Sequence, residues 1–343
     1  MKDKRHINIP IFIPHSGCPH SCVFCNQRKI SGHSKSPEPE QIKETVEKYL
    51  DTVGPEDTCE IAFFGGSFTG ITIADQKEYL NLAESFVKKG FVSGIRLSTR
   101  PDYINKDILD FLGKYSVKVI ELGIQSLDKE VLQKSSRLYT PEEAINACYL
   151  VKKSGFSLGI QTMIGLPGDT FEKSLKTAEA VVAIKPDMVR IYPTLVVKDT
   201  GLEELYMNKN YRPLSLDEAV LWCSKLVQIY ESAGITVLRI GLHDAAGLEK
   251  KDDIIAGPVH PAFGELVYSG IWLDKICNEL LTYGNIQGRG LNIYVSPSKI
   301  SQVTGYNRKN IKYLKERFNF SKIRVLPNMD KAQAFRIELN EES

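Results

Sequence analysis

The chain has 343 residues, a formal net charge of +2 at pH 7 and a hydrophobic content of 42%. These values are ordinary for a soluble globular protein and leave room for one large α/β domain with a smaller appendage. No apolar run reaches the roughly 20 residues that a membrane-spanning helix needs, and the N-terminus lacks the pattern of a signal peptide. The expected location is therefore the cytoplasm, with no membrane partner.

Short β-branched runs alternate with longer amphipathic stretches up to about residue 242. The runs are nearly continuous in apolar residues, which is typical of buried parallel strands. They occupy residues 9–14, 59–66, 93–100, 117–124, 156–164 and 187–196. The stretches between them predict helices at 39–53, 76–89, 141–155 and 174–185. Six such βα units predict an α/β fold with a partial (βα)6 TIM-like barrel, because a closed TIM barrel has eight.

The character of the sequence changes after the predicted barrel. We expect three parts: a partial barrel over 1–242, a barrel-flanking loop and helix over 243–285, and a small C-terminal α/β extension over 286–343. The extension is basic, since the stretch 285–325 contains nine Lys or Arg residues and one acidic residue. The bulk net charge hides this asymmetry.

Three of the seven cysteines form a C-x3-C-x2-C triplet after the first predicted strand: Cys18, Cys22 and Cys25. Closely spaced thiols in a cytoplasmic chain indicate a metal site rather than disulfides. Thiolates hold iron–sulfur clusters, and three of them leave one iron of a [4Fe–4S] cluster open. Zinc is the alternative, with His15 or His20 as a fourth ligand. The other four cysteines are expected to be small buried hydrophobic residues rather than ligands of an auxiliary cluster.

The triplet, with Phe24 before its last cysteine, resembles the signature of the radical S-adenosylmethionine (SAM) superfamily. The resemblance implies that SAM chelates the open iron through its amino and carboxylate groups. It also implies that the reduced cluster cleaves SAM to methionine and a 5′-deoxyadenosyl radical, which abstracts hydrogen from a substrate. An electron donor such as a flavodoxin or a ferredoxin is implied as a partner.

Motifs at the ends of the predicted strands extend the resemblance to the SAM-binding site. The FGGSFT run after the second strand matches the glycine motif that meets the SAM amino group. Arg137 aligns with an arginine that meets the SAM carboxylate, to which its planar fork of donors is suited. Ser98 stands in place of a glutamate of the coproporphyrinogen-type branch, and Gln161 in place of a ribose-binding aspartate. The expected SAM-binding residues are Gly65, Gly66, Ser67, Ser98, Arg100, Gln125, Arg137 and Gln161.

Four further motifs are similar to the radical SAM domain of the Elongator catalytic subunit and its bacterial relatives. They are STRPD at 98–102, ELGIQS at 121–126, RIYPTL at 190–195 and HPAFG at 260–264. A secondary similarity is to oxygen-independent coproporphyrinogen dehydrogenase-type enzymes. Two differences from Elongator are the tighter cysteine spacing and the absence of room for an acetyltransferase domain, since only about 100 residues follow the predicted barrel.

The Elongator resemblance and the basic extension make RNA, and tRNA in particular, the first expected substrate. Basic side chains bind phosphates, and tyrosines stack on unpaired bases. The alternatives for the extension are a solvated surface and a site for an acidic protein. The alternative substrate is a small molecule of the tetrapyrrole or cofactor type, and a third class is a non-catalytic cluster-bearing binding protein. The candidate catalytic residues are His243 and His260, which move protons near neutral pH, and Tyr192.

Overall fold

The computed structural model describes residues 5–13, 22–26, 37–242, 253–328 and 335–340. Its strands are β1 His6–Ile13, β2 Thr58–Gly65, β3 Ile95–Thr99, β4 Val117–Gln125, β5 Ser157–Ile164, β6 Met188–Pro193, β7 Val196–Val197, β8 Thr236–Ile240, β9 Ile254–Ala256, β10 Gly290–Val295, β11 Lys322–Pro327 and β12 Phe335–Asn340. Its α-helices are α1 Pro39–Leu50, α2 Ile73–Lys88, α3 Lys106–Leu112, α4 Lys129–Lys134, α5 Pro141–Lys153, α6 Phe171–Ile184, α7 Gly201–Met207, α8 Leu216–Ser232, α9 Phe263–Leu280, α10 Ile300–Thr304 and α11 Lys309–Phe318. Within these ranges, no helix combines the length and the apolar character that crossing a membrane requires.

Seven parallel strands form the main sheet, in the order β1-β2-β3-β4-β5-β6-β8. Helices separate each of these strands from the next, so spatial order follows chain order, as repeated βα units require. The predicted partial barrel is confirmed, and β8 adds a strand to the six counted in the sequence. It pairs with β6 and alternates between exposed and half-buried residues.

The chain divides into two compact units, of which the first comprises residues 1–219 and 229–259 and the second residues 220–228 and 260–343. The second unit has its own sheet, in which β10 lies between a parallel β11 and an antiparallel β12. The expected α/β character of the C-terminal segment is thus confirmed. Buried apolar side chains give this unit its own core, among them Ile276, Leu280, Ile293, Val303, Leu314 and Phe320.

Hydrogen bonds at both ends define the short connection between α4 and α5. The Arg137 N–H donates to the Leu132 carbonyl of α4 at 2.9 Å, and Thr140 forms a capping box with Glu143 at the start of α5. The capping box satisfies backbone N–H groups that have no partner inside the helix. Arg137 and Tyr139 lie in this connection, so their backbone positions are defined from both sides.

Candidate active site

Two of the three predicted cluster ligands, Cys22 and Cys25, lie in the described segment 22–26. The third, Cys18, and the two histidines of the zinc alternative, His15 and His20, lie outside the described residues. Cys22 is buried and Cys25 is half-buried, and neither forms a disulfide within the described residues. The Cys25 N–H donates to the Cys22 carbonyl oxygen at 3.0 Å, so a tight turn joins the two cysteines.

The cysteine segment is attached to two loops of the first unit that are distant in sequence. The Val23 N–H donates to the Ser135 carbonyl at 3.3 Å, and the Val23 carbonyl accepts from the Leu202 N–H at 2.7 Å. Asn26 Nδ2 donates to the Lys198 carbonyl at 3.2 Å. The thiols are therefore held next to the α4–α5 connection and the start of α7.

Two arginines point donors at the Cys22 sulfur. Arg137 Nη1 lies 3.2 Å from Sγ and Arg100 Nη1 lies 3.7 Å from it. Arg100 also makes two hydrogen bonds to the Asp102 carboxylate, at 2.9 and 2.8 Å. Positive charge and N–H donors next to a sulfur ligand complement the negative charge of a thiolate-bound iron–sulfur cluster. The donor set around Cys22 therefore fits such a cluster.

The guanidinium of Arg137 is buried and held by groups of its own neighbourhood. Nε donates to the Tyr139 hydroxyl at 2.9 Å, and Nη2 donates to the Gly123 carbonyl. Burial alone would lower the pKa of Arg137, but the adjacent Tyr139 and Cys22 raise it above the usual arginine value. Three of the five N–H groups of the guanidinium thus have described partners, which leaves two for a ligand.

Gln125, at the end of β4, combines an uncommon backbone conformation with a buried side-chain oxygen. Its φ is 60°, in the left-handed region that few non-glycine residues adopt. Its Oε1 is buried and has no hydrogen-bond partner in the described part of the chain. A Cβ at Gly123 would lie 2.8 Å from Gln125 Nε2, so the glycine makes room for this side chain. A buried acceptor without a donor is costly, and a ligand with N–H or O–H groups, as SAM has, fits it.

The glycine motif follows β2 at the same edge of the sheet as the end of β4. Gly65 has a φ of 95°, which explains the glycine, and the Gly66 N–H donates to the Ile13 carbonyl at 2.7 Å. Ser67 is buried and begins the short 3-10 turn Phe68–Gly70. The backbone of this motif is thereby tied to the end of β1, from which the cysteine segment continues.

A buried ionic network connects the predicted SAM residues of β3 and β5. Glu121 on β4 is 1% exposed and accepts from Arg190 Nε at 2.6 Å, Arg190 Nη2 at 3.0 Å and Arg96 Nη1 at 3.0 Å. Gln161 Nε2 lies 3.0 Å from Glu121 Oε2 and 3.1 Å from Ser98 Oγ. The structure therefore brings Ser98 and Gln161 into direct contact, next to the Glu121 carboxylate, which sequence analysis did not single out.

The charged members of this network could have been noticed in the sequence, because each interrupts an otherwise apolar strand. Fully buried charges are rare unless they are paired. Burial alone would raise the pKa of Glu121, but Arg190, Gln161 and Arg96 together hold it below the usual value. A Cβ at Gly159 would lie 2.7 Å from Glu121 Cγ, so β5 carries a glycine where this side chain passes.

Of the predicted catalytic residues, Tyr192 lies beside the ionic network. It follows Arg190 by two positions on β6, which puts both side chains on one face of the strand. Burial raises the pKa of Tyr192 above its usual value, although the nearby positive charge of Arg190 opposes the shift. Tyr192 thus keeps its hydroxyl proton near neutral pH.

The two predicted catalytic histidines have different outcomes. His243 lies outside the described residues. His260 Nδ1 accepts from the Ala262 N–H at 3.1 Å just before α9, and its ring meets Tyr306 edge-to-face with centroids 5.1 Å apart. Both of these contacts lie within the second unit, and they define the start of a helix.

Comparison with known families assigns the class of this chain. Residues 12–181 match the family described as the Radical SAM superfamily, and residues 186–272 match the Radical SAM C-terminal domain. The chain therefore belongs to the radical SAM superfamily and is an enzyme of that class. Membership implies a [4Fe–4S] cluster and SAM, for which the surroundings of Cys22 and Gln125 are suited.

Individual relatives are more distant. The uncharacterised protein MJ0486 of Methanocaldococcus jannaschii is 31% identical over 217 residues, or 60% of this chain and 66% of that protein. The tRNA uridine(34) acetyltransferase of the same organism is 29% identical over 201 residues, 52% of this chain and 37% of that enzyme. The structure of Methanocaldococcus infernus Elp3 with an N-terminal deletion has a TM-score of 0.63 at 22% identity, covering 84% of this chain and 66% of that chain. The chain thus spans less than two thirds of each relative, and the last likeness is one of fold alone.

Proposed function

We propose that the chain holds a [4Fe–4S] cluster on Cys18, Cys22 and Cys25, binds SAM next to it and modifies RNA. When bound and reduced, the cluster supplies the electron that cleaves SAM to methionine and a 5′-deoxyadenosyl radical. This chemistry requires an electron donor, such as a flavodoxin or a ferredoxin, and a reducing compartment such as the cytoplasm. Family membership and the arginine donors at the Cys22 sulfur support the cluster.

In this proposal the chain's own residues bind and orient SAM. The unpartnered Gln125 Oε1 accepts a hydrogen bond from the ligand, and the two remaining N–H groups of Arg137 meet its carboxylate. Gln161 is oriented by Glu121 and Ser98 at its amide nitrogen, which turns its amide oxygen toward a hydroxyl donor. The full proposed set is Gly65, Gly66, Ser67, Ser98, Arg100, Gln125, Arg137 and Gln161. His243 and His260 remain the proposed proton-transfer residues, and Tyr192 remains a proposed hydrogen donor.

We assign the radical chemistry to residues 1–242 and RNA binding to the extension 286–343, with 243–285 as the flanking segment. The observation that carries the RNA assignment is the exposed surface of α11. One side of this helix is buried through Asn310 and its apolar neighbours. The other side and the residues just before the helix expose five basic side chains: Arg308, Lys309, Lys312, Lys315 and Arg317.

Two exposed aromatic rings accompany these charges. Tyr306 is 58% exposed and Tyr313 is 40% exposed, and base stacking on such rings is tolerant of sequence. Within the described ranges, Lys312 and Lys315 make no ion pair with a carboxylate, so their charge is not neutralised there. One relative is a tRNA uridine(34) acetyltransferase, which favours tRNA among RNAs.

The RNA assignment is tested by binding total tRNA at a series of salt concentrations. Each phosphate contact contributes a slope of about −0.7 to −0.9 to the plot of log affinity against log salt. A double Lys312→Gln/Lys315→Gln variant is expected to bind more weakly and to have a slope reduced in magnitude by about 1 to 2. The matched control is Lys77→Gln/Lys88→Gln, which removes two exposed lysines from α2.

Equal slopes for the wild type and the Lys312/Lys315 variant would contradict RNA binding by α11. Tight binding of an acidic protein with no tRNA binding would instead support the protein-partner alternative. If 5′-deoxyadenosine release does not respond to tRNA, a small-molecule substrate of the tetrapyrrole or cofactor type becomes the better assignment.

A further inference from the structure

Arg137 is a buried cation held by a hydroxyl, a carbonyl and a sulfur. It is 7% exposed, and it donates to the Tyr139 hydroxyl, the Gly123 carbonyl and the Cys22 sulfur. Burial raises the pKa of Tyr139 to about 12, so that hydroxyl keeps its proton. In the described part of the chain, no carboxylate forms an ion pair with Arg137.

An unpaired buried charge is expensive, which is why buried arginines normally pair with carboxylates. Arg100, 3.7 Å from the same sulfur, follows this rule because Asp102 neutralises it. Arg137 lacks such a counter-ion and lies closer to the sulfur, at 3.2 Å. Before SAM binds, the negative charge that balances it is therefore expected on the Cys22 sulfur, which it faces at 3.2 Å, and the SAM carboxylate adds to this when it is bound.

We propose that Arg137 raises the reduction potential of the [4Fe–4S] cluster by directing its charge and an N–H donor at the Cys22 sulfur. The inference rests on the proposed function, because it requires Cys22 to be a cluster ligand. Net charge and hydrogen bonds to sulfur are among the factors that set the potential of such clusters. One-electron reduction adds negative charge to the cluster, so a fixed cation at a ligand sulfur stabilises the reduced form more than the oxidised form.

The anchors of Arg137 make it a fixed part of this environment rather than a mobile side chain. Its guanidinium is fastened at the Tyr139 hydroxyl, which lies 2.9 Å from the Ile124 carbonyl and 3.1 Å from the Gly123 carbonyl. Gly123 also accepts directly from Arg137. Arg137 is thus a positioning residue that acts on the reaction through a ligand sulfur, in addition to any contact with SAM.

The test is the midpoint potential of the cluster in the anaerobically reconstituted full chain, followed by electron paramagnetic resonance without SAM. Leaving SAM out separates this role from binding of its carboxylate. Arg137→Met is expected to lower the equilibrium constant for reduction about tenfold, which is about 59 mV for one electron. Arg137→Lys keeps the charge but not the fork of donors, so a smaller negative shift is expected.

The matched control is Arg212→Met, which removes the same charge from an exposed side chain that pairs with Glu218. It is expected to leave the potential unchanged. Tyr139→Phe keeps Arg137 and removes one anchor, so it is expected to shift the potential in the negative direction even if Arg137→Met does not retain a cluster. A wild-type protein without a cluster would refute the proposed function itself. If the wild-type protein holds a cluster and its midpoint potential is unchanged in both Arg137→Lys and Tyr139→Phe, the inference is overturned while the proposed function stands.

Discussion

Replacing Glu121 with glutamine is expected to destabilise the first unit far more than any surface charge change. The carboxylate is 1% exposed and receives hydrogen bonds from Arg190, Arg96 and Gln161. An amide of the same shape removes the negative charge and leaves the buried Arg190 guanidinium without its counter-ion, whereas Arg96 keeps its ion pair with Glu60. Breaking a buried pair from one side costs about 3–5 kcal/mol.

The assay is urea unfolding of the apo protein at pH 7, followed by far-UV circular dichroism. With a slope of about 2–3 kcal/mol per molar urea for a chain of this size, the midpoint is expected to fall by about 1–2 M. The matched control is Glu130→Gln, an exposed carboxylate that also has two cationic partners, Lys134 and Lys173. Exposed pairs contribute little because water solvates the separated charges, so this control is expected to unfold near the wild type.

The pH dependence supplies an independent check. Because the pKa of Glu121 is lowered in the folded state, its contribution is present above the ordinary glutamate pKa and is lost as pH falls through the lowered value. The difference in urea midpoint between the wild type and Glu121→Gln should therefore become smaller below about pH 4. A second substitution, Arg190→Gln, should restore part of the loss. If Glu121→Gln and Glu130→Gln unfold at the same urea concentration, the reasoning about the buried network is refuted.

Three further outcomes are expected. Gly123→Ala should weaken SAM binding about tenfold or more in equilibrium dialysis, because the added Cβ would lie 2.8 Å from Gln125 Nε2 and displace that side chain. Unchanged affinity for SAM would argue against the Gln125 contact. Burial raises the pKa of Asp169 to about 6 in the folded chain. The free energy of unfolding should therefore fall as pH rises from about 4 to about 6, because over this range the unfolded chain has already lost the Asp169 proton that the folded chain keeps. Asp169→Asn should flatten that part of the urea-midpoint profile, and a persistent slope would assign it to another group. Cys148→Ala should retain the full iron content of the reconstituted protein, because Cys148 is a buried side chain of α5. Cys22→Ala should lose the iron. Equal iron content in the two variants would count against the cysteine triplet as the ligand set.

Much of the first unit could be predicted from the sequence because its inner strands are buried on both faces. Such strands are almost continuously apolar, and the strand ends carry the motifs that place the site. The exception is β8, which was not counted although its five residues Thr236–Ile240 include three apolar ones, and all five are exposed or half-buried.

The candidate site was predicted residue by residue, but its contacts were not. Ser98 and Gln161 were expected to bind SAM, but the sequence did not predict that Gln161 donates both to Ser98 and to Glu121, a charged residue inside an apolar strand. Arg137 and Cys22 are 115 positions apart, and no spacing rule links residues that meet only through tertiary packing. Sequence patterns identify which residue types reach the edge of the sheet, whereas the partners of each side chain depend on the three-dimensional register.

The most direct test of the central claim is release of 5′-deoxyadenosine from SAM by the anaerobically reconstituted chain under a strong reductant. The control is a triple Cys18→Ala/Cys22→Ala/Cys25→Ala variant, prepared and reconstituted in the same way. We predict release by the wild type and none by the triple variant. Equal release from the two proteins, or none from a wild type that carries a full complement of iron and sulfide, would contradict the assignment.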